Sequence, residues 1–118
     1  MKVLIIHEHY NARKGIVRDF RRARAEVYAT SSGEAGISAL HELLPDIIVT
    51  DFYLDDMNAF EFYEQIKPVL AASAMRFVIV SALRFTLFER EDARNLKIPV
   101  YYLGAFSAKQ LIKSYFAE

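Results

Sequence analysis

The sequence predicts an α/β protein, a doubly wound, five-stranded parallel sheet, on three observations. Strand-like runs at 3–6, 25–30, 46–50, 76–81 and 99–103 alternate with segments of helical period, the pattern of a parallel sheet covered on both faces. Four of the joints between them carry a capping side chain three residues before an acid or amide that can reach back. The segments between strands place apolar residues on one face, and each such face needs a sheet to cover.

Taken in order, Lys2-Val3-Leu4-Ile5-Ile6 reads as the first strand, followed by a helix with Ala12, Ile16, Val17 and Phe20 on its apolar face. After the second strand, Ser31 with Glu34 marks the entry of a helix that carries Gly36, Leu40, Leu43 and Leu44 inward. The third strand ends at Asp51, and Asn58 with Glu61 opens the third helix. Pro68 is expected to end or kink that helix near Lys67, leaving Val69 to Ala74 as an irregular or weakly helical link. Beyond the fourth strand, Thr86 with Glu89 opens a helix from about Leu87 to Leu96 that has the poorest apolar pattern and is expected to be the loosest element. Ser107 with Gln110 opens the last helix, whose inward residues are Ala108, Leu111, Ile112 and Tyr115.

A length of 118 residues fits a single domain, 1–118, which buries roughly two-thirds of the surface of its unfolded chain. Apolar residues make up 53% of the chain, enough for a core without staples, and with no cysteine there are neither disulfides nor thiolate metal sites, as expected for a cytoplasmic protein. No apolar run reaches the length of a membrane span, and fifteen basic residues balance fifteen acidic ones, so neither a membrane nor nucleic acid is an expected partner. Locally, Arg13, Lys14, Arg18, Arg21, Arg22 and Arg24 cluster around the first helix, a solvated face or a dock for an acidic partner.

Asp51 is the residue on which function turns. A buried strand ending in a carboxylate holds a nucleophile or metal ligand at the rim of a sheet, where open α/β folds bind ligands. The run Pro45-Asp46-Ile47-Ile48-Val49-Thr50-Asp51, followed by Leu54, Met57 and Asn58, resembles the central segment of bacterial response-regulator receiver domains. Lys2 to Ile6, Ser31-Ser32-Gly33-Glu34-Ala35 and Phe77-Val78-Ile79-Val80-Ser81-Ala82 match further segments of that family in the right order. The resemblance implies a (βα)5 flavodoxin-like receiver fold and a non-enzymatic signalling role in a two-component phosphorelay, with Asp51 as phosphoacceptor and Ser81 contacting the phosphoryl group.

Two positions depart from the family pattern. Its first strand ends in two acids that hold a divalent metal, and here those positions read His7 and Glu8; its lysine after the fifth strand is replaced by Gly104. The resemblance therefore implies only a weak Mg2+ site, from Glu8, Asp51 and the backbone carbonyl of Tyr53, since magnesium prefers oxygen ligands in octahedral geometry. An imidazole between Asp51 and Glu8 is expected to be drawn toward its charged form, making His7 a replacement cation, with Arg84 a second candidate. His7 and His9, two apart, also raise a zinc reading, without a third ligand to support it.

By the same resemblance, Tyr101 occupies the position of an aromatic residue that swings in behind Ser81 when the domain switches. Phe85, Phe88, Tyr101, Tyr115 and Phe116 are expected to form an aromatic surface on the face of the fourth helix, fifth strand and fifth helix, open to an output domain, another partner or a second copy. The upstream partner implied is a histidine kinase or phosphotransfer protein. Tyr53 and Leu83 stand at the positions flanking the phosphoacceptor, where bulk obstructs water. The alternatives are a pseudo-receiver that docks partners without taking phosphate and a small metal-dependent phosphohydrolase using Asp51, Asp55, Glu8 and His7. Tyr53 stands where the hydrolase needs a second acid. A flavin binder is weaker still, because His7-Glu8-His9-Tyr10-Asn11 is not a phosphate cradle.

Overall fold

The computed structural model describes residues 1–116. The elements run β1 (Lys2–Ile6), α1 (Tyr10–Arg22), β2 (Glu26–Thr30), α2 (Gly33–Leu43), β3 (Ile47–Thr50), α3 (Ala59–Ala71), β4 (Arg76–Ser81), α4 (Leu87–Asn95), β5 (Val100–Tyr102), a 3-10 turn (Leu103–Ala105) and α5 (Ala108–Phe116). All strand pairings are parallel, in the order β2-β1-β3-β4-β5. The order reverses direction beside β1 and β3, so a crevice opens at the carboxyl ends of those strands.

Alternation along the strands divides the core in two. Val3, Ile5, Val49 and Val80 face Ile16 and Phe20 of α1 and Leu111 of α5. Leu4, Ile6, Ile48 and Ile79 face Leu40 of α2, Phe62 and Ile66 of α3, and Ala93 of α4. Both sides of β1, β3 and β4 are therefore apolar, which is why these strands read as unbroken hydrophobic runs. At Gly36 the helix comes close to the sheet: a Cβ there would lie 2.5 Å from Ile6 Cδ1 and 3.2 Å from Phe62 Cε2.

The capping boxes at Asn58/Glu61 and Thr86/Glu89 are present, and Ser107 Oγ accepts from the Gln110 N–H. The cap of α2 is displaced by one residue: Ser32, not Ser31, accepts from the Ala35 N–H. The third helix also differs from expectation, continuing through Pro68 to Ala71. Proline there removes only its own N–H bond to the preceding turn, and the chain closes behind it when the Ala72 N–H donates to the Pro68 carbonyl at 3.2 Å. In α4 only Ala93 is buried, as its charged sequence implies.

Candidate functional site at the ends of β1, β3 and β4

Asp51 follows the last residue of β3, and its own N–H donates to the Ile6 carbonyl at 3.0 Å, continuing the ladder to β1. The residue is 5% exposed. Its Oδ1 accepts from the Phe52 N–H at 2.9 Å and, more weakly, from the Ala82 N–H at 3.4 Å. Backbone donors from two loops thus orient one carboxylate oxygen and leave Oδ2 facing β1.

What Oδ2 meets is His7, whose Nε2 lies 3.4 Å away. His7 is fully buried. Its Nδ1 accepts from the His9 N–H at 3.2 Å, so the ring hydrogen sits on Nε2, and that atom has no hydrogen bond of good geometry. Burial holds the imidazole below its ordinary pKa; Asp51 pulls it upward, while His9 and Arg13 lower it further. The expected cationic His7 is therefore corrected: desolvation outweighs the carboxylate, and an Nδ1 that accepts a hydrogen bond cannot carry a proton. Arg13 fixes the same segment, donating from Nη1 to the His7 carbonyl at 2.7 Å and to that of Glu8 at 3.4 Å. No local pattern in the sequence marks Arg13 apart from the basic residues around it.

The Glu8 side chain is only partly exposed. A hydrogen bond with the Asp55 carboxyl, aided by partial burial and by the charges of Asp55 and Asp51, pushes its pKa up, and one oxygen lies 3.8 Å from His9 Nε2. Among the described residues, no three His, Asp or Glu side chains are grouped to hold a metal ion. Among the described residues the one buried carboxylate is that of Asp51, and its Oδ2, which has no backbone donor, faces the hydrogen of a neutral imidazole. A donor set of this kind does not fit magnesium. The weak site expected from Glu8, Asp51 and the Tyr53 carbonyl thus finds no support in this geometry, nor does the zinc reading of His7 and His9, since His7 Nδ1 is occupied and its Nε2 carries hydrogen.

On β4, Ser81 is 1% exposed and its hydroxyl is engaged within its own loop, donating to the Leu83 carbonyl at 2.6 Å and accepting the Leu83 N–H at 3.2 Å. The aromatic side chain behind this loop is Tyr102, not Tyr101. Tyr102 packs edge-on to Phe85, and its hydroxyl oxygen accepts from the Phe85 N–H at 3.4 Å, whereas Tyr101 faces α1 and α5 and packs on Phe106. The one-residue difference reverses the face, because strand side chains alternate. Arg84 stacks on the Tyr102 ring at 5.3 Å instead of reaching over Asp51. Nor do the expected aromatics form one surface: Phe85 is buried against Phe52, Phe88 is 80% exposed on α4, and Tyr115 packs beside Arg76 and Phe116.

The loops close around Asp51 from both sides. Tyr53 is half-exposed and its hydroxyl donates to Glu89 Oε2 at 2.6 Å, joining the β3–α3 loop to the start of α4; Leu83 is exposed. Asp56, unmarked in the sequence, accepts the N–H groups of both Gly33 and Glu34 at 2.9 Å and so ties this loop to the entry of α2. Gly104 lies exposed in the 3-10 turn, with open space where a Cβ would stand.

Comparison with known proteins agrees with this geometry. A family model described as response regulator receiver domain matches residues 3–115. The response regulator protein VraR of Staphylococcus aureus (strain NCTC 8325 / PS 47) is 31% identical over 118 aligned residues, which cover 94% of this chain and 53% of that protein. VraR of Staphylococcus saprophyticus is 34% identical over 73 residues, covering 59% of this chain and 34% of that protein. The chain spans about half the length of the Staphylococcus aureus relative. Among solved structures, a response regulator receiver domain protein from Clostridium thermocellum superposes with a TM-score of 0.81 at 18% identity, covering 97% of this chain and 90% of that one. The chemotaxis protein CheY4 of Vibrio cholerae gives 0.79 at 16%, covering 96% and 93%. At these identities the structures speak for the fold.

Proposed function

This chain belongs to the response-regulator receiver domain family, and from that premise we propose that residues 1–118 form one signalling receiver unit that accepts a phosphoryl group on Asp51. The donor is a histidine kinase or phosphotransfer protein of a two-component system in the cytoplasm. An Asp51 carboxylate oxygen attacks phosphorus as the donor's phosphorus–nitrogen bond breaks, the departing imidazole keeps the electron pair, and an acyl phosphate forms. The Phe52 and Ala82 N–H groups on Oδ1 orient the carboxylate for this attack. Ser81 then leaves the Leu83 carbonyl to bond the phosphoryl oxygens, and the loop that moves with it repositions Arg84 and Phe85 against Tyr102. An output segment or partner, or a second copy, reads this change on α4, β5 and α5.

The observation that supports this reading most is the placement of Asp51, a nearly buried carboxylate at the crevice of the sheet with Ser81 on the next strand. Intact mass after treatment with a small phosphodonor tests it. Wild type is expected to gain one phosphoryl mass and Asp51→Asn none; a gain that survives in Asp51→Asn would sink the assignment. A second reading, a pseudo-receiver that docks partners without phosphate, draws on Gly104, which supplies no cation to a transferring phosphoryl group. No mass gain in either protein would favour it.

A further inference from the structure

Taking Asp51 as the acceptor, we propose that the site works without a divalent cation because neutral His7, locked as its Nε2–H tautomer, holds Asp51 where an ion otherwise would. His7 is a positioning residue in this scheme. The His9 N–H occupies Nδ1 at 3.2 Å and thereby fixes the ring hydrogen on Nε2. That hydrogen is fully buried and has no acceptor of good geometry, while Asp51 Oδ2 stands 3.4 Å away. An unpaired buried N–H is costly, so a small closure of this gap is favoured.

The same arrangement excludes an ion. A cation at Oδ2 would face the positive end of the His7 N–H bond at close range, in a pocket where water screens little. His7 cannot turn aside without loss, since Arg13 clamps the His7 and Glu8 carbonyls and the His9 amide holds the ring. Glu8, the remaining acid of the pair, is engaged by a hydrogen bond with the Asp55 carboxyl, and one of its oxygens lies 3.8 Å from His9 Nε2. Asp51 is thus presented by a fixed neutral donor, and occupancy of a metal site does not gate its reactivity.

Three measurements on the full chain test this. Nitrogen-15 NMR of the histidine rings should show His7 neutral and protonated on Nε2. Thermal unfolding with about 10 mM MgCl2 should match that with EDTA to within about 1 °C, whereas His7→Asp should gain several degrees with MgCl2, as a site binding in the millimolar range would. Phosphodonor labelling of wild type should be equal in MgCl2 and EDTA to within about twofold, and that of His7→Asp should depend on MgCl2 by about tenfold or more. An Nδ1–H or charged His7, a magnesium-dependent melting rise in wild type, or labelling that EDTA abolishes would each overturn the proposal. If wild type takes no phosphate in either medium, it is the acceptor reading of Asp51 that fails, while the NMR and melting results still decide the role of His7. Those two measurements also suffice if His7→Asp does not fold.

Discussion

Replacing Asp56 by alanine should loosen the joint between the phosphoacceptor loop and α2, by an amount set by two hydrogen bonds. Both carboxylate oxygens are engaged, each 2.9 Å from a backbone N–H at the first turn of α2, where the helix dipole also favours negative charge. Ser32 caps the Ala35 N–H separately, so Asp56 serves donors that nothing else satisfies. Removal of an N-terminal capping side chain costs about 0.5–2 kcal/mol, and the exposure of Asp56 argues for the middle of that range, about 1 kcal/mol. For a domain of this size the melting temperature should fall by about 3–6 °C. The pH dependence identifies the cause. The Glu34 and Gly33 amides hold the Asp56 carboxyl below its ordinary pKa. A depressed carboxyl contributes stability that is fully present above the unfolded value of about 3.9 and is lost as pH falls through the folded value. Urea unfolding followed by circular dichroism should therefore separate wild type from Asp56→Ala at neutral pH and bring them together in strong acid, with Asp56→Asn between. Equal stability at neutral pH, or a difference that persists undiminished in acid, would refute the account.

Gly104→Lys should raise the phosphodonor labelling rate of Asp51 by about tenfold or more, since a side chain there meets open space and restores a cation at the position where the family pattern has lysine; intact mass against time measures it. An aspartyl phosphate on Asp51 should be lost faster in Tyr53→Asn and Leu83→Glu than in wild type, because both changes open the approach of water, while Tyr53→Phe, which breaks only the bond to Glu89, should leave the lifetime within about twofold. Gly36→Val should destabilise by about 1–3 kcal/mol in urea unfolding, because its side chain would enter the space of Ile6 and Phe62.

The features legible in the sequence are the ones that depend on neighbours along the chain. The strands announce themselves through runs buried on both faces, and the capping boxes at Asn58 and Thr86 through residues three apart that meet within one helical turn. Asp51 could be singled out because the end of a strand and the start of its loop are both local patterns. Adjacent serines defeated the reading at α2, since Ser31 and Ser32 offer the same chemistry and only the backbone bend selects one. At Pro68 a local rule overstated its force, because one lost bond late in a helix is small against the packing of Phe62 and Ile66.

What only the tertiary structure decided is the environment around Asp51. Whether Tyr101 or Tyr102 lies behind Ser81 depends on strand parity, which the register with β4 fixes and composition does not. Asp56 reaches Gly33, 23 residues back in the chain, through a loop geometry that no spacing encodes. His7 was read as a cation from the two acids, Asp51 and Glu8, that the fold was expected to set beside it, and it is neutral because the folded chain buries it and sets the His9 amide on its ring. Sequence determined which groups are present at the crevice and on which elements. Burial and hydrogen bonding between distant segments determined their charge, tautomer and direction, because desolvation belongs to the assembled core and to no residue alone.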